Sequence, residues 1–264
     1  MLASARCPVK ARAGPAYNRT VRIAVVIPAR NEEASLPLVL GAIPPDLVEE
    51  VVVVDNASTD RTAEVARAGG ASILFEPRPG YGAACLRGVE YLKVKRPDVV
   101  VFLDADFSDH PEELPLLLAP ITRDAADLVI GSRVRALRER GALLPQARAG
   151  NWLATRLMRL FYGGRFTDLG PFRAIRFGPL LDLGMADRGF GWTVEMQVKA
   201  LRAGLRTEEV PVSYRRRVGV SKITGTISGT IRAGGRILWT LARHLGHAPR
   251  KRVGAAPGAF DRSA

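Results

Sequence analysis

Cysteine and histidine are nearly missing from this chain. Its 264 residues include two cysteines, Cys7 and Cys85. Two are too few for a disulfide framework or a four-cysteine zinc site, and they suit a reducing compartment. The three histidines, at 110, 244 and 247, are scattered, and none is assigned chemistry. Glycine is missing where a dinucleotide-binding turn needs it. After the first apolar run the chain reads Pro28-Ala29-Arg30-Asn31-Glu32, which offers no close backbone approach to a pyrophosphate. No Gly, four residues, Gly-Lys-Ser/Thr pattern occurs either, so NAD binding and P-loop ATP hydrolysis are both excluded. Long apolar runs are absent as well. The longest, around residues 51–54 and 99–103, fall far below the ~18–20 residues of a membrane-spanning helix. Residues 1–20 carry Arg6, Lys10, Arg12 and Arg19 but no apolar core of a secretory signal. They read as a loose basic leader, and the expected location is cytoplasmic.

Positive charge, in contrast, is abundant. Lys and Arg number 39 against 26 Asp and Glu, a formal net charge of +13. The surplus is concentrated late: residues 201–264 hold 13 Lys/Arg and 3 Asp/Glu. Such a bias suits nucleic acid, anionic lipid or a polyanionic substrate such as a diphosphate, and composition does not separate them. No nucleic-acid reader motif or interleaved aromatic pattern is present, so nucleic acid is not expected. With 47% hydrophobic and 25% charged residues, the length predicts one large α/β domain or one domain with an appendage.

Short β-branched runs alternate with helical stretches from residue 21 to about 134. Strands are expected at 22–28, 50–55, 71–76, 98–104 and 127–132, and helices at 31–43, 58–68, 82–94 and 111–119. Asn31 and Ser58 are the candidate helix caps. Four consecutive valines at 51–54 predict burial on both faces, the pattern of a parallel sheet covered by helices. The alternation predicts a doubly wound, mostly parallel sheet. After residue 134 the rhythm changes: 135–150 reads as a loop and 151–162 as a basic helix. Residues 168–177 read as a strand that Pro171 would push to an edge or a bulge. A helix over 193–203 and a strand over 207–214 follow. Residues 227–247 form an amphipathic helical extension that could lie on an anionic membrane or pack on the domain, and 248–264 a disordered basic tail.

Ligands of open parallel sheets bind beyond the carboxyl ends of the strands, so those ends are the informative positions. Asp104-Ala105-Asp106 follows a buried apolar run. Two carboxylates one residue apart point the same way in extended backbone and, when buried, need a cation. A hard divalent ion, Mg²⁺ or Mn²⁺, completed by substrate phosphates fits that donor set. The alternative is an acidic cluster preceding the helix that begins near Pro111. Asp55 ends the four-valine strand and either accepts from a base or ribose or forms an Asx-turn into the next helix.

Several blocks together resemble family 2 glycosyltransferases of the GT-A fold, and in particular the dolichyl- and polyprenyl-phosphate sugar transferases. They are Pro28-Ala29-Arg30-Asn31-Glu32, VVVVDNASTD (51–60), FLDADFSDHPEEL (102–114), VIGSRV (129–134), TDLGPFRAIR (167–176), GFGWTVEMQVKALRAGLR (189–206) and EVPVSYRRRVGVSKITGT (209–226). The resemblance spans about residues 22–226, and it places a GT-A domain over 21–226. It implies that Pro28, Ala29, Arg30, Glu32 and Asp55 line the nucleotide pocket. It implies that Asp104 and Asp106 hold sugar nucleotide and metal, with Arg133 near the sugar and diphosphate. Arg216, Ser221 and Lys222, in R-x-x-G-x-S-K form, are implied to gather phosphates, and Asp168, Arg173 and Glu195 to stand on the acceptor side. Three positions depart from the family pattern. Asn56 stands where many relatives have a second acid, Ser108 where some have Gln, and Pro171 where others have Gly or a small polar residue.

The implied reaction moves a sugar from a GDP- or UDP-sugar, with inversion. Preplaced cations stabilise the charge growing on the leaving diphosphate. A phosphomonoester acceptor is largely a dianion at neutral pH and needs no strong base. A hydroxyl acceptor would need one, and Asp168 and Glu195 are the candidates. A polyprenyl phosphate acceptor is preferred here, with attachment at the inner membrane face; a soluble hydroxyl acceptor is the alternative.

Overall fold

The computed structural model describes residues 21–134, 139, 141–143, 145–219 and 227–245. The expected leader (1–20) and tail (248–264) lie outside the described residues. Seven strands form one sheet: β1 (Ile23–Ala29), β2 (Glu50–Asp55), β3 (Ser72–Phe75), β4 (Val99–Phe102), β5 (Leu128–Ser132), β6 (Arg173–Arg176) and β7 (Thr207–Pro211). Their order is β3-β2-β1-β4-β6-β5-β7, with β6 alone running antiparallel to its neighbours β4 and β5. The valines of β2 behave as their burial on two faces requires. Val52 and Val54 enter one apolar layer with α3 (Tyr81–Lys95), and Val53 enters the other with α1 (Leu36–Ala42) and α4 (Leu114–Thr122).

The expected helix over 31–43 starts later, at Leu36. Asn31 does not cap it: its φ is 53°, and its side-chain oxygen accepts from the Thr59 N–H at 2.7 Å. The next helix, α2 (Thr62–Ala68), likewise starts after Ser58. There Asp60 accepts from the Thr62 N–H at 3.0 Å, while Ser58 accepts from the Asn31 N–H at 3.0 Å. Both polar residues thus join two neighbouring turns at the carboxyl end of the sheet, and the helices give up their first turns to that purpose.

Pro171 does not move its strand to an edge. It precedes β6, which lies in the interior between β4 and β5. Helix α5 (Pro145–Tyr162) extends into the stretch expected as loop, and a short α6 (Phe177–Asp182) follows β6. Helix α7 (Trp192–Arg202) buries Trp192 edge-on against Phe102, with ring centroids 5.7 Å apart. The C-terminal extension is α8 (Ile227–Arg243), which packs on α5 and α7 and buries Thr240 and Leu241. Arg236 pairs with the buried Asp187 at 2.9 Å, and the Tyr162 hydroxyl donates to the Leu241 carbonyl at 2.6 Å. Its other face leaves Leu238 and Trp239 exposed.

Candidate active site

Parallel register aligns the carboxyl ends of β1 and β2, with Ala29 opposite Asp55 and the Asn56 N–H donating to the Ala29 carbonyl at 2.8 Å. The Ala29 side chain is buried in the core, so only its backbone reaches this edge. One Asp55 oxygen caps the following turn, accepting from the N–H of Ser58, three residues on, at 3.0 Å. Asn56 does more than its acid counterpart could. Its amide donates to the Glu76 and Arg78 carbonyls at 3.0 and 2.8 Å, and its oxygen accepts from the Gly80 N–H at 2.7 Å. A carboxylate has no donor for those two carbonyls. Asn56 therefore fixes the loop from β3 to α3 above the β2 end.

β4 ends at Phe102, and the chain then turns through Asp104, Ala105 and Asp106. Phe107 at φ 59° makes the bend. Asp106 Oδ1 accepts from the Ser108 N–H at 2.9 Å and from its hydroxyl at 2.5 Å. Asp106 Oδ2 faces the Arg217 guanidinium, Nη1 at 3.2 Å. Asp104 Oδ1 is buried with no hydrogen-bond partner. Burial, then the charge of Asp106, push the Asp104 carboxyl up to about 7. A third acid lies beneath: Asp109, 1% exposed, has no partner on either oxygen. Burial first, and then Asp104, raise it well above the usual carboxylate range. Asp109 lies inside the 102–114 block, three residues after Asp106, but the pattern assigns it no role.

A strap of residues 212–218 crosses this turn. Tyr214 pairs with Asp109 in an antiparallel bridge, and the Arg215 and Val218 N–H groups donate to the Ser108 and Asp106 carbonyls at 3.0 and 2.9 Å. The three consecutive arginines diverge. Arg215 stacks on Phe107, 3.5 Å from the ring centroid, and donates to the Phe107 and Asp109 carbonyls. Arg216, the residue expected to gather phosphate, lies instead toward the 139–141 segment; its N–H donates to Glu139 at 2.8 Å, and its guanidinium lies against Gly141. Arg217 reaches the acids, with Nη2 3.1 Å from Glu32 Oε1 as well as Nη1 on Asp106. The R-x-x-G-x-S-K pattern picks out Arg216, whereas the member of the run that faces the acids is Arg217. Ser221 and Lys222 themselves lie outside the described residues.

Arg133, at the end of β5, forms a two-pronged pair with Asp168: Nε to Oδ2 at 2.9 Å and Nη2 to Oδ1 at 2.7 Å, with the Arg133 N–H adding a third bond at 2.8 Å. Burial alone would raise Asp168, but the Arg133 guanidinium holds it below the usual range. The other two acceptor-side expectations fare differently. Arg173 is fully buried; its guanidinium donates to the Leu169, Gly170 and Thr193 carbonyls, and burial lowers it to about 10. Glu195 is 3% exposed, accepts from the Ala186 and Asp187 N–H groups and pairs with Lys199 at 2.8 Å. Both hold backbone in place. Pro28 is half-buried and Arg30 exposed beside the β1 end, with Glu32 between Arg217 and the Ser35 hydroxyl, 2.7 Å away.

Among the described residues no three His, Cys, Asp or Glu side chains are grouped to hold a metal ion. The Asp104–Asp106 pair still fits one: two hard oxygen donors, one of them buried and unpartnered, with a carboxyl raised by burial and then by its neighbour's charge. Such a pair suits Mg²⁺ or Mn²⁺ whose remaining positions are filled by water and substrate phosphate. Beside the Arg133–Asp168 pair, a groove of about 1070 Å³ runs along α5 between Val134 and Thr167, lined by Trp152, Phe166 and four arginines, Arg148, Arg156, Arg159 and Arg165.

The sequence profile described as glycosyl transferase family 2 matches residues 24–184. An uncharacterized glycosyltransferase of Mycobacterium tuberculosis is 42% identical over 211 residues, covering 79% of this chain and 93% of its own. The undecaprenyl-phosphate mannosyltransferase of Micrococcus luteus is 35% identical over 230 residues, covering 79% and 90%. Among solved structures, glucosyl-3-phosphoglycerate synthase of M. tuberculosis in complex with Mn²⁺, UDP and phosphoglyceric acid superposes with a TM-score of 0.69 at 25% identity, covering 88% of this chain and 81% of that one. The sheet order, the acids at its carboxyl edge and these likenesses agree: the chain belongs to glycosyl transferase family 2 and has the GT-A fold.

Proposed function

We propose that this enzyme transfers a hexose from a GDP- or UDP-sugar to the phosphate of a polyprenyl lipid, with inversion at the anomeric carbon and with Mg²⁺ or Mn²⁺ held by Asp104 and Asp106. One observation carries the choice of acceptor. Both acids that could have served as a base for a hydroxyl are consumed: Asp168 by Arg133, and Glu195 by two backbone N–H groups and Lys199. Asp109 is buried beneath the strap and raised toward its neutral form. A phosphomonoester, with a second pKa near ~6, attacks without a base, so this arrangement suits it. The 35% identity to an undecaprenyl-phosphate mannosyltransferase supports the same acceptor.

In this reading Pro28, Arg30, Glu32, Asp55 and the Ala29 backbone frame the nucleotide. When bound, the ion would neutralise charge growing on the departing diphosphate. Arg133, fixed by Asp168, would present its remaining N–H bonds to the phosphates between which the sugar passes. The arginine-lined groove along α5 would receive the acceptor. No helix among the described residues is long and apolar enough to cross a membrane. Helices α5 and α8 carry six arginines and no acid, and they leave Trp152, Leu160, Phe161, Leu238 and Trp239 exposed. We take them as the surface that rests on an anionic bilayer, at its cytoplasmic face. Residues 21–226 make the catalytic domain, and α8 is its membrane-facing extension.

The deciding experiment supplies labelled GDP-mannose or UDP-glucose with polyprenyl phosphate in vesicles, and in parallel with soluble hydroxyl glycosides. Label is expected in an acid-labile lipid product. Transfer to a soluble glycoside with none to the lipid phosphate would overturn the acceptor.

Asp104 also sets a pH dependence. Its folded pKa, about 7, lies above the unfolded value of roughly 3.9. Without added metal its contribution to stability is complete below the unfolded value and is lost as pH rises through about 7. A divalent ion binds the ionised form, so protons compete with it. The rise in Tm produced by Mn²⁺ is expected to be small at low pH and to grow through neutrality. A Mn²⁺ shift that is flat across that range would contradict the placement of the ion on Asp104.

A further inference from the structure

Both oxygens of the Asp106 carboxylate are engaged. Oδ1 takes two donors from Ser108, and Oδ2 holds Arg217. The same guanidinium spans to Glu32 at the end of β1, so one side chain bridges acids presented by two different strand ends. Its Nε is buried and has no hydrogen-bond partner, which marks a donor set only partly used. Arg217 comes from a strap whose backbone is fixed independently, through Arg215 and Val218, on the carbonyls of Ser108 and Asp106. The side chain can therefore change partners while the strap stays in place.

A divalent ion on Asp106 Oδ2 would stand beside a guanidinium already facing that oxygen. The two cations repel each other and compete for one acceptor. The guanidinium that yields needs an anion in reach, because its site is half closed to water. A diphosphate coordinated to the same ion brings such oxygens to the same place, and a planar guanidinium suits them well.

We propose that Arg217 is the resident counter-cation of this acidic turn: it competes with the divalent ion for Asp106 and passes to the donor's diphosphate when ion and nucleotide bind together. The proposal rests on the metal-assisted donor reading above. It makes the ion and the nucleotide bind cooperatively beyond their direct coordination, since each removes the obstacle to the other, and such coupling is reciprocal.

The test is a titration of the full chain with Mn²⁺, read by electron paramagnetic resonance, with and without UDP or GDP. Arg217→Gln is expected to bind Mn²⁺ alone roughly tenfold more tightly than the unaltered protein, because the competitor is gone. The tightening of Mn²⁺ by nucleotide is expected to shrink by a similar factor of about ten in the variant, as linkage requires. Arg217→Lys, whose ammonium lacks the planar two-pronged fork of the guanidinium, is expected to fall between, and it decides the matter should the glutamine variant fail to fold. Circular dichroism checks the fold of each. A purely structural clamp would give a lower Tm with Mn²⁺ affinity unchanged or weaker, and that result overturns the proposal alone. If no protein binds Mn²⁺ even with nucleotide, the metal-assisted reading falls and the proposal falls with it.

Discussion

Asp106→Ala is expected to lower sugar transfer by about 10³-fold while the protein stays folded. The size follows from what the side chain would do in the reaction. Charge appears on the diphosphate as the anomeric bond breaks, and an ion positioned by Asp106 would be worth more there than in the ground state. The fold survives because Asp106 lies on a turn outside the two apolar layers, and its structural contribution is local. It caps the Ser108 N–H and pairs with Arg217, and the strap keeps its backbone bonds to the turn. Asp106→Asn separates the two roles. It retains an acceptor for Ser108, so its Tm should stay close to that of the unaltered protein, yet it loses the charge that attracts a divalent ion. Transfer assays and thermal melts of both variants check this. A folded alanine variant within tenfold of full activity would refute the assignment of the acidic turn to the donor.

Much of this site was legible in the sequence, and the boundary of legibility has physical causes. Residues 51–54 announced a strand buried on two faces because period and composition agree there, and β2 spans the expected residues 50–55. The Asp104–Asp106 turn was visible because acids directly after an apolar strand are costly unless used. Residues that act by reaching across the fold were less visible. Arg217 was hidden in a run of three arginines whose members differ only in direction, and only tertiary placement sends one to Asp106 and another to the 139–141 segment. Arg173 and Glu195 look like ligand residues by type, but they satisfy buried backbone groups around residues 169–170 and 186–187. Asn31 and Ser58 carry strong cap signals, yet each turn offers the other a better partner. Pro171 pushed the expected strand to an edge because the sequence does not show that β6 begins two residues later.

The pair formed by Arg133 and Asp168 sets the other large effect, this time on stability. Asp168 is fully buried and the Arg133 side chain 12% exposed, so neither charge is well solvated. Asp168→Ala would leave the guanidinium buried with its counter-ion gone, at a cost of about 3–5 kcal/mol. For a chain of this size that lowers Tm by roughly 10 °C. The pair also predicts a direction with pH. Asp168 is held below its ordinary range by Arg133, so its contribution is present above the unfolded carboxylate value and is lost as pH falls through the depressed one. The alanine variant should therefore lose the corresponding part of the acid limb of the stability curve. Removing both partners tests whether the pair is kept for stability or for chemistry. Arg133→Met with Asp168→Leu fills the space with apolar atoms, and buried pairs replaced in this way are often neutral in stability. The double variant is expected to regain most of the lost Tm and none of the transfer activity, because the proposed function gives Arg133 the phosphates to hold. Recovery of both would assign the pair to packing alone, and the acceptor side would then have to be sought along the α5 arginines.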